Sequence, residues 1–262
     1  MNNPELAKLN FKDLLHYSAV PDGVTRSCCT GFCVSCEEKG YLTDQDLRLD
    51  QMSHGASTDD FENLICKLPS NGIDIPIAFL FEAPGGYYNN GCKIEYRRII
   101  KQPPVNGFYW VPKLENWPME KAKVDPKSYG PYLAYLIGTH KLKNAYFTNM
   151  VKCSLAKKEK DQFVGYYVSR DENCRDSKIR NNCFSLFLER ELQILRPKIV
   201  FYFGQKVEKM GYYLGLSTML PHTMFERLHH PAARVSTSRI RDENDNTIRQ
   251  ALTKYQMSSG TA

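Results

Sequence analysis

The sequence predicts an α/β fold, and three observations carry that prediction. Residues 75–81, 145–151 and 198–204 are three runs of strand length that are apolar nearly throughout, as strands covered on both faces must be. Helix-like segments separate them. The clearest is 184–195, which places Phe184, Phe187, Leu188, Leu192 and Leu195 on one face before Pro197 forces the exit into the next strand. Alternation of this kind favours a parallel sheet with crossover helices.

The chain has 262 residues, 42% of them apolar and 24% charged, enough for one large domain or two small ones and too apolar for a disordered chain. No apolar run approaches the ~18 to 20 residues that span a bilayer, and Met1-Asn2-Asn3-Pro4-Glu5 is not a basic region followed by an apolar stretch. A cytoplasmic protein without a membrane partner is therefore expected. A formal net charge of +6 favours a polyanionic partner. Nine cysteines without a secretion signal argue against a complete disulfide framework and raise the question of metal ligation.

Taken in order, residues 4–17 place Leu6, Leu9, Leu14 and Leu15 at near-helical spacing, which predicts a short amphipathic helix. A cysteine-rich loop at 28–36 and an aspartate-rich stretch at 44–60 follow. Residues 1–72 read as an extension to an α/β core at 73–240, with a C-terminal helix and tail at 241–262, all in one domain. Within the core, 87–131 is long and irregular, rich in Pro, Gly, Asn and aromatics, and 154–182 is a polar insert. The stretch 241–255 is read as a terminal helix.

Open α/β sheets bind ligands beyond the carboxyl ends of their strands. Three polar features fall there or close by: Glu82 before the Pro84-Gly85-Gly86 turn, Asn149 near the end of the second run, and His230-Pro231.

With these residues in view, the sequence resembles the uracil-DNA glycosylase superfamily, and specifically its iron–sulfur branch, family 4. That branch carries Gly-Glu-Ala-Pro-Gly after its first core strand; here Phe81-Glu82-Ala83-Pro84-Gly85 departs only at the leading glycine. Its Thr-Asn-hydrophobic-Val-Lys-Cys signature is matched by Thr148-Asn149-Met150-Val151-Lys152-Cys153. A Cys before an apolar helix ending in Leu-x-Pro-Lys, then a strand and a Gly, is matched by Cys183-Phe184 through Leu195-Arg196-Pro197-Lys198 to Phe203-Gly204, and a His-Pro-Ala segment by His230-Pro231-Ala232. The motifs keep the family's order over about residues 75 to 235.

The resemblance implies a three-layer α/β/α fold around a mostly parallel four-stranded sheet, and a monomeric, monofunctional DNA glycosylase that flips a pyrimidine out of DNA and hydrolyses its N-glycosidic bond. His230 would donate to the base carbonyl, Glu82 would position or activate the water, and Asn149 would read the base edge. Ala83, Pro84 and Gly85 would line the pocket. Phe108 and Tyr109, with Tyr87 or Tyr88 as alternatives, would stack on the flipped base. Gly86, Pro231 and Arg234 would meet the DNA backbone, aided by Arg239 and Arg241. Cys33, Cys36, Cys153 and Cys183 match the positions of the family's ligands to a four-iron, four-sulfur cluster. Four thiolates also suit zinc, so spacing alone leaves both metals open, and Cys28 or Cys174 could replace one of the four. The substrate is expected to be uracil or a modified pyrimidine. The alternatives are excision of a hypermodified cytosine from phage DNA as antiviral defence, and a DNA-binding iron–sulfur module without catalysis.

Overall fold

The structure is a computed structural model and describes residues 56–57, 72–82, 126, 129–150, 156–159, 162–165, 181, 184–231 and 233–259. The proposed helix at 4–17, the cysteine-rich loop and most of the irregular 87–131 stretch lie outside them.

In chain order the elements are β1 (Ala56–Ser57), β2 (Ile77–Phe81), α1 (Tyr129–His140), β3 (Ala145–Asn149), β4 (Ala156–Glu159), β5 (Gln162–Gly165), a π-helical turn (Phe184–Leu188) leading into α2 (Glu189–Leu195), β6 (Ile199–Phe203), α3 (Gln205–Tyr213), α4 (Leu216–Met219), β7 (Met224–Leu228) and α5 (Thr237–Ser259). The main sheet has the order β1-β3-β2-β6-β7. β3, β2, β6 and β7 are mutually parallel, and the two-residue β1 pairs antiparallel on the β3 edge. β2 lies between β3 and β6, and all five of its side chains are buried, which is why its sequence is unbrokenly apolar.

Alternate residues go to opposite faces. Ile77, Phe79, Phe81, Phe147, Phe201 and Phe203 share one core with Tyr132, Leu136 and Ile137 of α1 and Ile240, Ile248 and Leu252 of α5. Phe79 centres that face, its ring 4.7 Å from Phe147 and 5.0 Å from Phe201. On the other face, the Thr148 hydroxyl donates to the fully buried Glu191 of α2 at 2.8 Å. There too Tyr202 lies so close to Gly211 of α3 that a Cβ at Gly211 would fall 2.5 Å from its hydroxyl. Helices thus cover both faces of the sheet, the three-layer arrangement expected.

Three boundaries differ from the sequence reading. α1 begins at Tyr129, so Pro131 stands in its first turn, where the missing N–H has no intrahelical partner to lose. α5 begins at Thr237 rather than Arg241, because Ser236 caps it: its Oγ accepts from Arg239 N at 3.3 Å and its carbonyl from Ile240 N at 3.1 Å. The polar insert contains a hairpin, β4 pairing antiparallel with β5 in the register Lys158↔Phe163. The π-helical turn and α2 together fill the predicted 184–195 helix, whose end at Arg196 adopts a left-handed conformation before Pro197.

Among the described residues no helix is long and apolar enough to cross a membrane. The chain runs from β2 outward to β3, then back past β2 to β6 and on to β7. The strand order therefore reverses between β2 and β6, and the carboxyl ends of those two strands flank the crevice where such sheets bind ligands.

Candidate functional site

Four chain segments leave the sheet at this edge. Asn149 is the last residue of β3, in register with Phe81, and is only 4% exposed. The next residue, Met150, donates its N–H to the Phe81 carbonyl at 2.8 Å, so the β3 exit is tied to β2 where Glu82 begins. Glu82 follows β2 directly. Its side chain is 13% exposed, and Oε1 lies 3.6 Å from Lys206 Nζ and accepts no hydrogen bond from the described residues. A carboxylate oxygen of this kind can accept from a water or a ligand hydroxyl.

Beyond β6 the chain turns at Gly204, whose φ of 99° favours glycine, and its N–H donates to the Leu228 carbonyl at 2.9 Å. A Cβ at this position would stand 3.2 Å from the Cβ of His230. Glycine therefore serves twice: it permits the turn into α3 and lets His230 pack against the backbone. Burial pushes the His230 imidazole down to about 4, with the Lys206 ammonium adding to the effect. At neutral pH His230 is uncharged, so one ring nitrogen donates and the other accepts.

The loop carrying His230 is held from α5. Asn244 clamps His229 at two points, accepting from its N–H at 2.6 Å and donating to its carbonyl at 3.0 Å, and also donates to the Tyr132 hydroxyl at 2.8 Å. The His229 ring pairs with Glu243, which Arg239 also engages; hydrogen bonds from Arg239 and then His229 hold that carboxyl below the usual range. The buried Pro231 occupies the turn closed by the Ala233 N–H donating to the His230 carbonyl at 2.8 Å.

Of the residues singled out from sequence, Glu82, Asn149, His230 and Pro231 leave the same edge of the sheet, and Arg234 is exposed beyond Pro231. Arg239 Nε donates to Glu243 Oε1 within α5, and its side chain is 60% exposed. Ala83, Pro84, Gly85, Gly86, Phe108, Tyr109, Cys33, Cys36, Cys153 and Cys183 lie outside the described residues. Among the described residues no cluster of three or more His, Cys, Asp or Glu could hold a metal. Sequence reasoning passed over Lys206 and Asn244. The signal for Lys206 is its place in the first turn of the helix after a strand-ending glycine; Asn244 carries no local signal, since its partners are 112 and 15 residues away.

This edge offers an uncharged imidazole donor, a carboxylate for water, a buried amide able to donate and accept, and one ammonium. The set suits breaking a bond whose leaving group takes up negative charge while water adds to the other fragment. A family model described as the Uracil DNA glycosylase superfamily matches residues 73–253, which contain every element from β2 to β7 and most of α5. A search of curated proteins found no match.

Proposed function

Because this chain belongs to the uracil-DNA glycosylase superfamily, whose members are DNA glycosylases, we propose that it is a monofunctional enzyme releasing a pyrimidine from DNA by hydrolysis at this sheet edge. The observation that carries the proposal is that Glu82, Asn149 and an uncharged His230 follow the carboxyl ends of neighbouring parallel strands, on the edge of the sheet that holds the switch point between β2 and β6.

The target nucleotide is turned out of the helix so that its base edge meets the Asn149 amide, whose oxygen and NH2 complement N3–H and O4 of a pyrimidine. As the C1′–N1 bond breaks, its electron pair goes to the base. His230 donates a hydrogen bond to the base carbonyl where that negative charge collects. A water held by Glu82 adds to C1′ and gives up its proton, leaving the abasic sugar, and the base leaves as the free pyrimidine once protonated. An imidazole already uncharged in the resting site donates a hydrogen bond without having to give up a proton.

The substrate proposed is uracil or a modified pyrimidine. The long irregular segment after Glu82 and the polar insert at 154–182 are read from the sequence as the segments that reshape the pocket for a bulkier pyrimidine. An abasic-site cleavage assay on matched duplexes carrying uracil, 5-hydroxymethylcytosine or its glucosylated form, with Glu82→Gln as the blank, tests the assignment. Cleavage at uracil alone makes this a repair enzyme; cleavage only at a modified cytosine makes the inserts specificity elements and supports antiviral excision. DNA binding with no cleavage anywhere replaces the enzyme with a binding module.

Cys33, Cys36, Cys153 and Cys183 are proposed to hold a four-iron, four-sulfur cluster with a structural role. The Cys-x-x-Cys pair, the cysteine four residues beyond β3 and the one directly before the π-helical turn suit zinc as well, and the preference for a cluster comes from their resemblance to the ligand positions of the iron–sulfur branch. Purified protein is expected to contain about four irons per chain, and less on Cys153→Ala. Stoichiometric zinc without iron contradicts the cluster.

A further inference from the structure

The cation at the site is unused by the scheme above. Lys206 stands in the first turn of α3, two residues past Gly204, and its ammonium is 3.6 Å from Glu82 Oε1. The lysine side chain is 46% exposed and the glutamate 13%, so the pair runs from solvent into the crevice. Half-exposed pairs of this length contribute little to stability, and holding the fold together does not account for it. Its position does: it bridges the exits of β2 and β6, the two strands flanking the switch point, and sits beside the loop on which His230 rests.

We propose that Lys206 is a positioning residue of this site: its ammonium anchors the Glu82 carboxylate from α3 and sets the charge environment of His230. The proposal rests on the glycosylase reading. One lysine thereby serves two groups with different tasks. Anchored at Oε1, the carboxylate cannot swing into solvent, and its geometry toward the water is fixed; a misplacement of about 1 Å in such a group costs on the order of a hundredfold in rate. A fixed positive charge near His230 also disfavours a second one on the imidazole, adding to what burial does. Lys206 is the charge that acts on His230 beside its burial, and on α5 Glu243 is paired with Arg239 and His229.

The test combines Lys206→Met and Lys206→Arg with two readouts. In single-turnover base release, Lys206→Met is expected to lose at least about tenfold in rate constant with KM within about twofold, whereas Lys206→Arg stays near the parent. In an NMR titration of the histidine rings, assigned with His230→Ala, the His230 midpoint is expected to rise above about 4 in Lys206→Met, while burial keeps it below its ordinary value, and not to rise in Lys206→Arg. A His230 titration that does not move in Lys206→Met overturns the proposal. So does an unchanged rate constant with a raised KM and a shallower salt dependence, which would make Lys206 a phosphate contact instead. The titration uses no substrate, so a parent protein that releases no base defeats the glycosylase reading while the charge effect of Lys206 is still measured.

Discussion

Replacing His230 by alanine is expected to slow base release by about 10²- to 10³-fold in single turnover, the usual effect of removing one aligned donor to a developing anion. DNA affinity should change by less than about threefold, because in the proposed reaction the ring meets the base and not the backbone contacts that dominate affinity. The pH profile of the parent supplies the complementary result. An ordinary histidine would gain its proton near 6.5, but His230 is held down to about 4, chiefly by burial. The loss of rate from protonating this ring is therefore expected to centre near pH 4 and not near 6.5. Stability follows the same asymmetry. Between pH 6.5 and 4 the unfolded chain binds a proton at this position that the folded chain refuses, so the contribution is intact above about 6.5 and is lost as the pH falls toward 4. His230→Ala is expected to lose less stability across that window than the parent, measurable as thermal midpoints at pH 7 and pH 4.5.

Glu82→Gln is expected to lower the rate constant by about 10²- to 10⁴-fold while binding of substrate DNA persists, since it keeps the size of the side chain and removes the charge proposed to activate water. The buried Oε1 accepts no hydrogen bond from the described residues, so the exchange breaks none there, and the Lys206 ammonium lies 3.6 Å away. A glutamine there can still pack at the end of β2, so a folded, DNA-binding, inactive protein is the expected outcome. Rapid base release by Glu82→Gln, measured under single-turnover conditions, would remove Glu82 from the chemistry.

The parts of this molecule legible in sequence are those where burial leaves few choices. β2 and β6 are covered on both faces, so Ile77–Phe81 and Ile199–Phe203 had to be apolar throughout. β7 escaped recognition because it is the edge strand of the sheet: Glu226 and Arg227 interrupt its apolar pattern at positions the sheet does not cover. The β4–β5 hairpin was hidden by lysines that composition assigns to a solvated insert. Strand order was equally hidden, because pairings such as Ile77↔Ile199 join residues far apart in the chain and no local pattern records them. The site divides the same way. Glu82, Asn149 and His230 follow recognisable strand ends or motifs, whereas Lys206 is an ordinary first-turn charge until the fold brings it to Glu82. Asn244 is one polar residue on a long helix until its amide is found holding both backbone groups of His229.

The most direct test of the central claim is mass spectrometry of the products formed by the parent protein from single-lesion duplexes carrying uracil or a modified cytosine. A free pyrimidine accompanied by an intact strand bearing one abasic sugar, both absent with Glu82→Gln, is the predicted result. Bound DNA with no free base from any of these duplexes would contradict it.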